Sequence, residues 1–185
     1  MIEIRYHGRG GQGAVIASKI MACAVFMEGK HVQSFPKFGV ERRGAPVEAF
    51  LRIDEEKILL RNNVYTPDHV IVLDHTLLEW TDVTNGLKKG GWVLINTTRR
   101  PDEFPKLKKF RVACVDASAI AVQNRLGSKS SPIVNTAILG AMAKIIQIAR
   151  IDSICTAIEA EVPIKPEANA KAAREAYDQV IFNKD

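Results

Sequence analysis

An uninterrupted apolar run, "HVIVLD" at positions 69–74, constrains the fold of this 185-residue chain more than any other stretch. A strand with one wet face alternates apolar and polar side chains. A run that is apolar at every turn of the pleat has no face to give to water and needs cover on both sides, as inner strands of parallel sheets do. The segments around it fit such a sheet. "IEIRY" at the start alternates as a strand, "WVLINT" and "FRVACVDA" are further strands, and stretches with helical spacing lie between or beyond them. Strands alternating with helices predict a three-layer α/β/α domain with a mostly parallel sheet and helices on both faces.

The connecting pieces refine that expectation. Val15, Ile16, Ile20, Met21, Val25 and Phe26 recur at helical spacing, and Gly29 offers a stop. "VEAFLRID" follows a long irregular loop with no helix before it, so it is expected to be antiparallel or at a sheet edge. "TLLEWTDVTNGLKKGG" reads as a helix fraying into a basic glycine turn, and "SAIAVQNRLG" as another helix. "PIVNTAILGAMAKIIQIA" is apolar nearly all round and opens with proline, which predicts a buried helix starting there. "SICTAIEAE" and "PEANAKAAREAYDQVIF" close the chain as helices, and with no repeat or linker residues 1–185 read as one domain.

Composition narrows the function. The charge of +5 admits an anionic ligand, an acidic partner or nucleic acid, but only 6% of residues are aromatic and the cations form short pairs rather than runs. Nucleic acid is therefore not expected. Cys23, Cys114 and Cys155 lie far apart with no C-x-x-C, so no metal or cluster site is expected on this chain and the thiols read as buried and reduced. No signal peptide pattern and no apolar run of membrane-spanning length is present, and the expected location is cytoplasmic.

Two segments carry candidate sites. In "YHGRGGQGAV", Gly8, Gly10 and Gly13 satisfy G-x-G-x-x-G between a strand and a helix. Such a turn presents unpaired helix-end N–H groups to an anion. The candidate residues are Gly8, Arg9, Gly10, Gly11, Gln12 and Gly13, with Arg9 adding charge and Gln12 a hydrogen bond. No acidic residue ends the next strand to hold a ribose, and no Gly-Lys-Ser/Thr follows. A simple structural turn, a phosphate-bearing ligand such as coenzyme A, and NAD thus all remain open. In "FPKFGVERRGAP", Arg42 and Arg43 suit either an anion clamp or a subunit contact. His7, Asp74, His75 and Asn135 read as strand-end, capping and helix-start residues, and Trp80 and Trp92 as core.

Together "HGRGGQGAV" and "FPKFGVERRGAPVEAFLRID" resemble the gamma chains of the 2-oxoacid:ferredoxin oxidoreductase family, pyruvate ferredoxin oxidoreductase among them. "VYTPDHVIVLDHTLL", "GGWVLINT" and "NTAILGAMAK" follow in the matching order, so the resemblance spans most of the chain. The "FGVERRGAP" form looks closer to the pyruvate and branched-chain members. The resemblance implies a complex in anaerobic metabolism that converts a 2-oxoacid and coenzyme A to acyl-CoA and carbon dioxide while reducing ferredoxin. It implies thiamine diphosphate, magnesium and iron–sulfur clusters in alpha, beta and delta partner chains, none held by this chain. It also implies an α/β/α subunit, inactive alone, that supports assembly and the approach of coenzyme A. The alternative is a free-standing Rossmann-like nucleotide-binding domain or an NAD-dependent enzyme.

Overall fold

A computed structural model describes residues 1–37 and 43–183. A seven-stranded sheet runs in the order β2-β3-β1-β4-β5-β6-β9. These strands are β1 (Ile2–Arg9), β2 (His31–Pro36), β3 (Pro46–Asp54), β4 (His69–Val72), β5 (Trp92–Asn96), β6 (Arg111–Val115) and β9 (Ile181–Phe182). β1, β4, β5 and β6 pair in parallel at its centre. As expected from their continuous apolar sequence, β4 and β5 are covered on both faces.

Helix α1 (Ala14–Met27) returns the chain from the end of β1 to the start of β2, and Gly29, at φ 88°, ends it. β2 runs in the same direction as β1, one strand away. β3 fills the gap, antiparallel to both. The strand that arrives without a helix is therefore antiparallel, and β2 rather than β3 forms the edge.

The cover on the two faces differs in kind. Side chains Ile4, Tyr6, Ile71, Leu94 and Ala113 pack into one large core with α1, α2 (Ala117–Gln123), α3 (Ala137–Ile146), α4 (Ile151–Glu161) and α5 (Pro166–Gln179). The opposite face, with Val70, Val72, Val93, Ile95, Val112 and Cys114, packs against Val83, Leu87, Phe104 and Leu107. Those last residues belong to 3-10 turns and irregular chain, not to α-helices. The third layer is present, but among the described residues every α-helix lies on the first face. The helix expected over "TLLEWTDVTNGLKKGG" is one 3-10 turn, His75–Glu79. Asp82 captures Thr84 N–H at 3.0 Å, and Gly86, at φ 75°, lies against the Tyr65 carbonyl; both arrangements are incompatible with continued helix.

Two other expectations change. Pro132 does not open a helix: it sits in the two-residue strand β8 (Ser131–Pro132), paired with β7 (Gly127–Ser128). Trp92 is buried as expected, whereas Trp80 is 81% exposed.

The loop-covered face carries unusual polarity. Arg52, 1% exposed, donates to Glu3 at 2.8 Å and to Asn62 Oδ1 at 3.1 Å, pinning the 55–63 segment over the sheet. Arg5 donates from Nη2 to the Val83 and Asn85 carbonyls at 3.0 and 2.6 Å and from Nε to His7 Nε2 at 3.0 Å. Buried arginines thus hold loops where a helix would use its apolar stripe. No described helix is long and apolar enough to cross a membrane.

Candidate functional site

After β1 the chain moves to one side of the sheet, and from β4 onward it builds the other, so the carboxyl ends of β1 and β4 flank the topological switch point. In open α/β sheets ligands gather at such a crevice. Here it is walled by the glycine turn after β1 and by Asp74 after β4.

Each glycine has its own reason. Gly8 lies in β1, where an added Cβ would come 3.3 Å from Ala14 Cβ and 3.6 Å from Gln12 Oε1. Gly13 takes φ 79° and caps α1 without a side chain. Ala17 N–H is the first to bond inside the helix, to Gly13 O at 2.8 Å, so the N–H groups of Ala14, Val15 and Ile16 precede the ladder.

Arg9 and Gln12 are held in a knot around Asp74. Arg9 Nε and Gln12 Nε2 each donate to Asp74 Oδ2 at 3.0 Å, and Gln12 Oε1 accepts the Arg9 backbone N–H at 2.7 Å. Thr76 donates to Asp74 Oδ1 from its hydroxyl at 2.6 Å and its N–H at 3.0 Å. Burial by itself would raise the Asp74 carboxyl. Hydrogen bonds from Thr76 and Gln12 and the charge of Arg9 outweigh it and hold the group below the usual carboxylate range. The knot staples the end of β1 to the end of β4 and occupies the two side chains expected to meet a phosphate.

The second candidate segment reaches the same place. Gly10 N–H donates to Ala45 O at 2.9 Å, Gly44 N–H to Gly10 O at 3.0 Å, and Arg9 Nη1 to Gly44 O at 3.1 Å. Arg43 forms a backbone bridge with Gly10, and its side chain is exposed. Arg42 lies outside the described residues.

What faces the helix end is Asn135, which the sequence marked only as a helix-start residue. It is 6% exposed, and its Nδ2 sits 2.5 Å from where a Cβ on Gly13 would be. Asn135 Oδ1 accepts Thr136 N–H at 3.0 Å, which fixes the amide so that its donor end points at the turn. Among the described residues Nδ2 has no acceptor, and it is not fully buried. An amide donor beside free helix-end N–H groups is an arrangement that accepts an anion. One signal could have revealed Asn135: a polar Asn-Thr pair opening an otherwise apolar helix.

On the other side of Asp74 a cavity of about 700 Å³ lies between the 75–84 and 99–109 segments, walled in part by Trp80, Arg99 and Phe104. None of the predicted site residues that the structure describes lines it. His7 is 4% exposed; burial, with Arg5 and Lys37 adding to it, lowers its pKa to about 3, so it is a neutral acceptor for Arg5. Cys114 and Cys155 are buried and Cys23 half-buried, all free. Among the described residues no three His, Cys, Asp or Glu side chains gather to share a metal.

Residues 3–179 match the family described as Pyruvate ferredoxin/flavodoxin oxidoreductase. The Pyruvate/ketoisovalerate oxidoreductases common subunit gamma of Pyrococcus abyssi is 55% identical over 183 residues, 97% of each chain. Pyruvate synthase subunit PorC of Methanocaldococcus jannaschii is 50% identical over 182 residues, 98% of each chain. The crystal structure of pyruvate oxidoreductase subunit PORC from Thermotoga maritima has a TM-score of 0.83 at 36% identity, covering 99% of this chain and 98% of that one.

Proposed function

The chain belongs to the pyruvate ferredoxin/flavodoxin oxidoreductase family, as a gamma-type subunit of a 2-oxoacid:ferredoxin oxidoreductase, and we propose that its glycine turn anchors a phosphate of coenzyme A for that complex. The whole chain, 1–185, acts as one gamma-type domain in an anaerobic, cytoplasmic complex. Free-standing nucleotide binding or NAD chemistry finds no support in these relatives.

The carrying observation is the donor cluster at the switch point: the N–H groups of Ala14, Val15 and Ile16, which precede the helix ladder, beside the Nδ2 of Asn135, which has no acceptor among the described residues. Gly13 lets the amide come that close, and the Asp74 knot holds the turn against β4. The chain's own task is to bind and orient one end of coenzyme A, leaving the thiol free to reach a partner chain. Thiamine diphosphate with magnesium, and iron–sulfur clusters, held by alpha, beta and delta chains, supply decarboxylation and the path of electrons to ferredoxin. Arg9 and Gln12 serve the shape of the turn, and Arg43, beside Gly10, is placed to add charge at its rim. Leu59, Tyr65 and Trp80, exposed on the loop-covered face, suit contact with those partners.

The test is anaerobic reconstitution with Asn135→Ala in this chain, reading 2-oxoacid- and CoA-dependent viologen reduction. KM for coenzyme A should rise about tenfold, while KM for the 2-oxoacid stays unchanged. An unchanged KM for coenzyme A would remove the anchor and leave the turn structural.

A further inference from the structure

We propose that Thr136 and Asn169 are positioning residues that aim the Asn135 amide at the coenzyme A phosphate, an inference that rests on the anchor reading above. Asn135 sits at the end of the segment that leads into α3, a place where an amide would otherwise rotate between the solvent and the turn. One bond holds the amide, and a second holds the residue that supplies it. Thr136 N–H holds Asn135 Oδ1 at 3.0 Å, and the Thr136 hydroxyl donates to Asn169 Oδ1 at 2.7 Å. Asn169 lies in the first turn of α5 and is 4% exposed.

Asn169 is itself immobilised. Its Nδ2 donates to the Ile164 and Lys165 carbonyls at 3.1 and 2.9 Å. Lys165 has φ 53°, a left-handed conformation unusual for a long side chain, and its ammonium reaches the Arg125 carbonyl at 2.7 Å. A chain of bonds, part-buried at the start of α5 and buried at Thr136, therefore runs to the donor that faces the turn. The chain ends in an acceptor on Asn135 and, among the described residues, leaves its donor end unpaired. Packing alone needs none of this buried polarity: elsewhere α3 and α5 meet where Gly140 lies against the Ala173 backbone, and Lys144 stacks over the Tyr177 ring. In a site awaiting a phosphate, fixing the donor end outward removes the entropy that a rotating amide would lose on binding.

The experiment uses the assembled oxidoreductase carrying Thr136→Val, Thr136→Ser or Asn135→Ala. It reads the Kd of coenzyme A by equilibrium dialysis without 2-oxoacid, together with steady-state constants for both substrates. Thr136→Val keeps the shape and the N–H but deletes the hydroxyl, so coenzyme A should bind about fivefold more weakly, as one lost hydrogen bond implies, with kcat and the 2-oxoacid KM unchanged. Thr136→Ser should restore wild-type affinity. If Asn135→Ala weakens coenzyme A while Thr136→Val does not, the positioning role is overturned and the anchor stands. If Asn135→Ala has no effect, the anchor itself fails. A Thr136→Val loss shared equally by kcat and both substrates would mark a merely structural bond and overturn the proposal. Should that variant not assemble, Thr136→Ala removes the same hydroxyl without a new methyl and carries the same test.

Discussion

At the scale of single residues, Gly11 and Gly13 offer a clean comparison. Both have positive φ, 96° and 79°, but a Cβ on Gly11 meets nothing within 4 Å while one on Gly13 meets Asn135 Nδ2 at 2.5 Å. Gly11→Ala should cost about 1 kcal/mol from backbone conformation alone. Gly13→Ala should cost more and should also displace the amide, so urea unfolding midpoints will separate the two. His7 supplies a pH prediction. Its folded pKa, about 3, lies below the unfolded value of 6.5. The unfolded chain therefore takes up the proton first, and the stability given by neutral His7 is present above pH 6.5 and lost as pH falls toward 3. The isolated chain should lose about 2 kcal/mol from this residue between pH 7 and pH 5. In His7→Asn that part of the pH slope should vanish from denaturant titrations; a slope as steep as wild type would refute the assignment.

At the scale of elements, the interface of α3 with α5 depends on small residues. Ala137, Gly140 and Ala141 on one helix and Ala170, Ala173 and Ala176 on the other are all buried. Gly140 lies directly against the Ala173 backbone carbonyl, so an added methyl has no room unless the helices part. Gly140→Ala, normally a gain in helix propensity, should instead destabilise by roughly 2 kcal/mol or more, and a rise in melting temperature would contradict the contact. Because α5 also holds Asn169, the same change should loosen the coenzyme A anchor. Sequence periodicity found the closing helices because each has an apolar stripe to bury; α1 is apolar nearly all round, and of the residues that predicted it Ile20, Met21 and Val25 are buried while Ile16 and Phe26 are exposed. It overread "TLLEWTDVTNGLKKGG" because Leu77, Val83 and Leu87 bury as a helix stripe would, although they reach the core from turns fixed by Asp74, Asp82 and Arg5.

At the scale of the whole molecule, the chain should show no CoA-dependent viologen reduction alone and should gain it on assembly with its partner chains; activity in the purified single chain would contradict the subunit reading. The sequence by itself determined the fold class, the glycine turn and the family, and marked "VEAFLRID" as antiparallel or at an edge, a choice the strand pairing then made. These depend on period, on turn chemistry and on motifs contiguous in the chain, which local physics makes visible. Tertiary structure alone decided the rest. It placed the α-helices on one face, because buried Arg5 and Arg52 hold loops on the other. It drew Arg9 and Gln12 away from solvent into a knot with Asp74, and it brought Asn135 against Gly13 across more than a hundred residues of chain. Those contacts join positions with no pattern between them, and hydrogen bonds between distant side chains exist only once the strands that carry them have been set side by side.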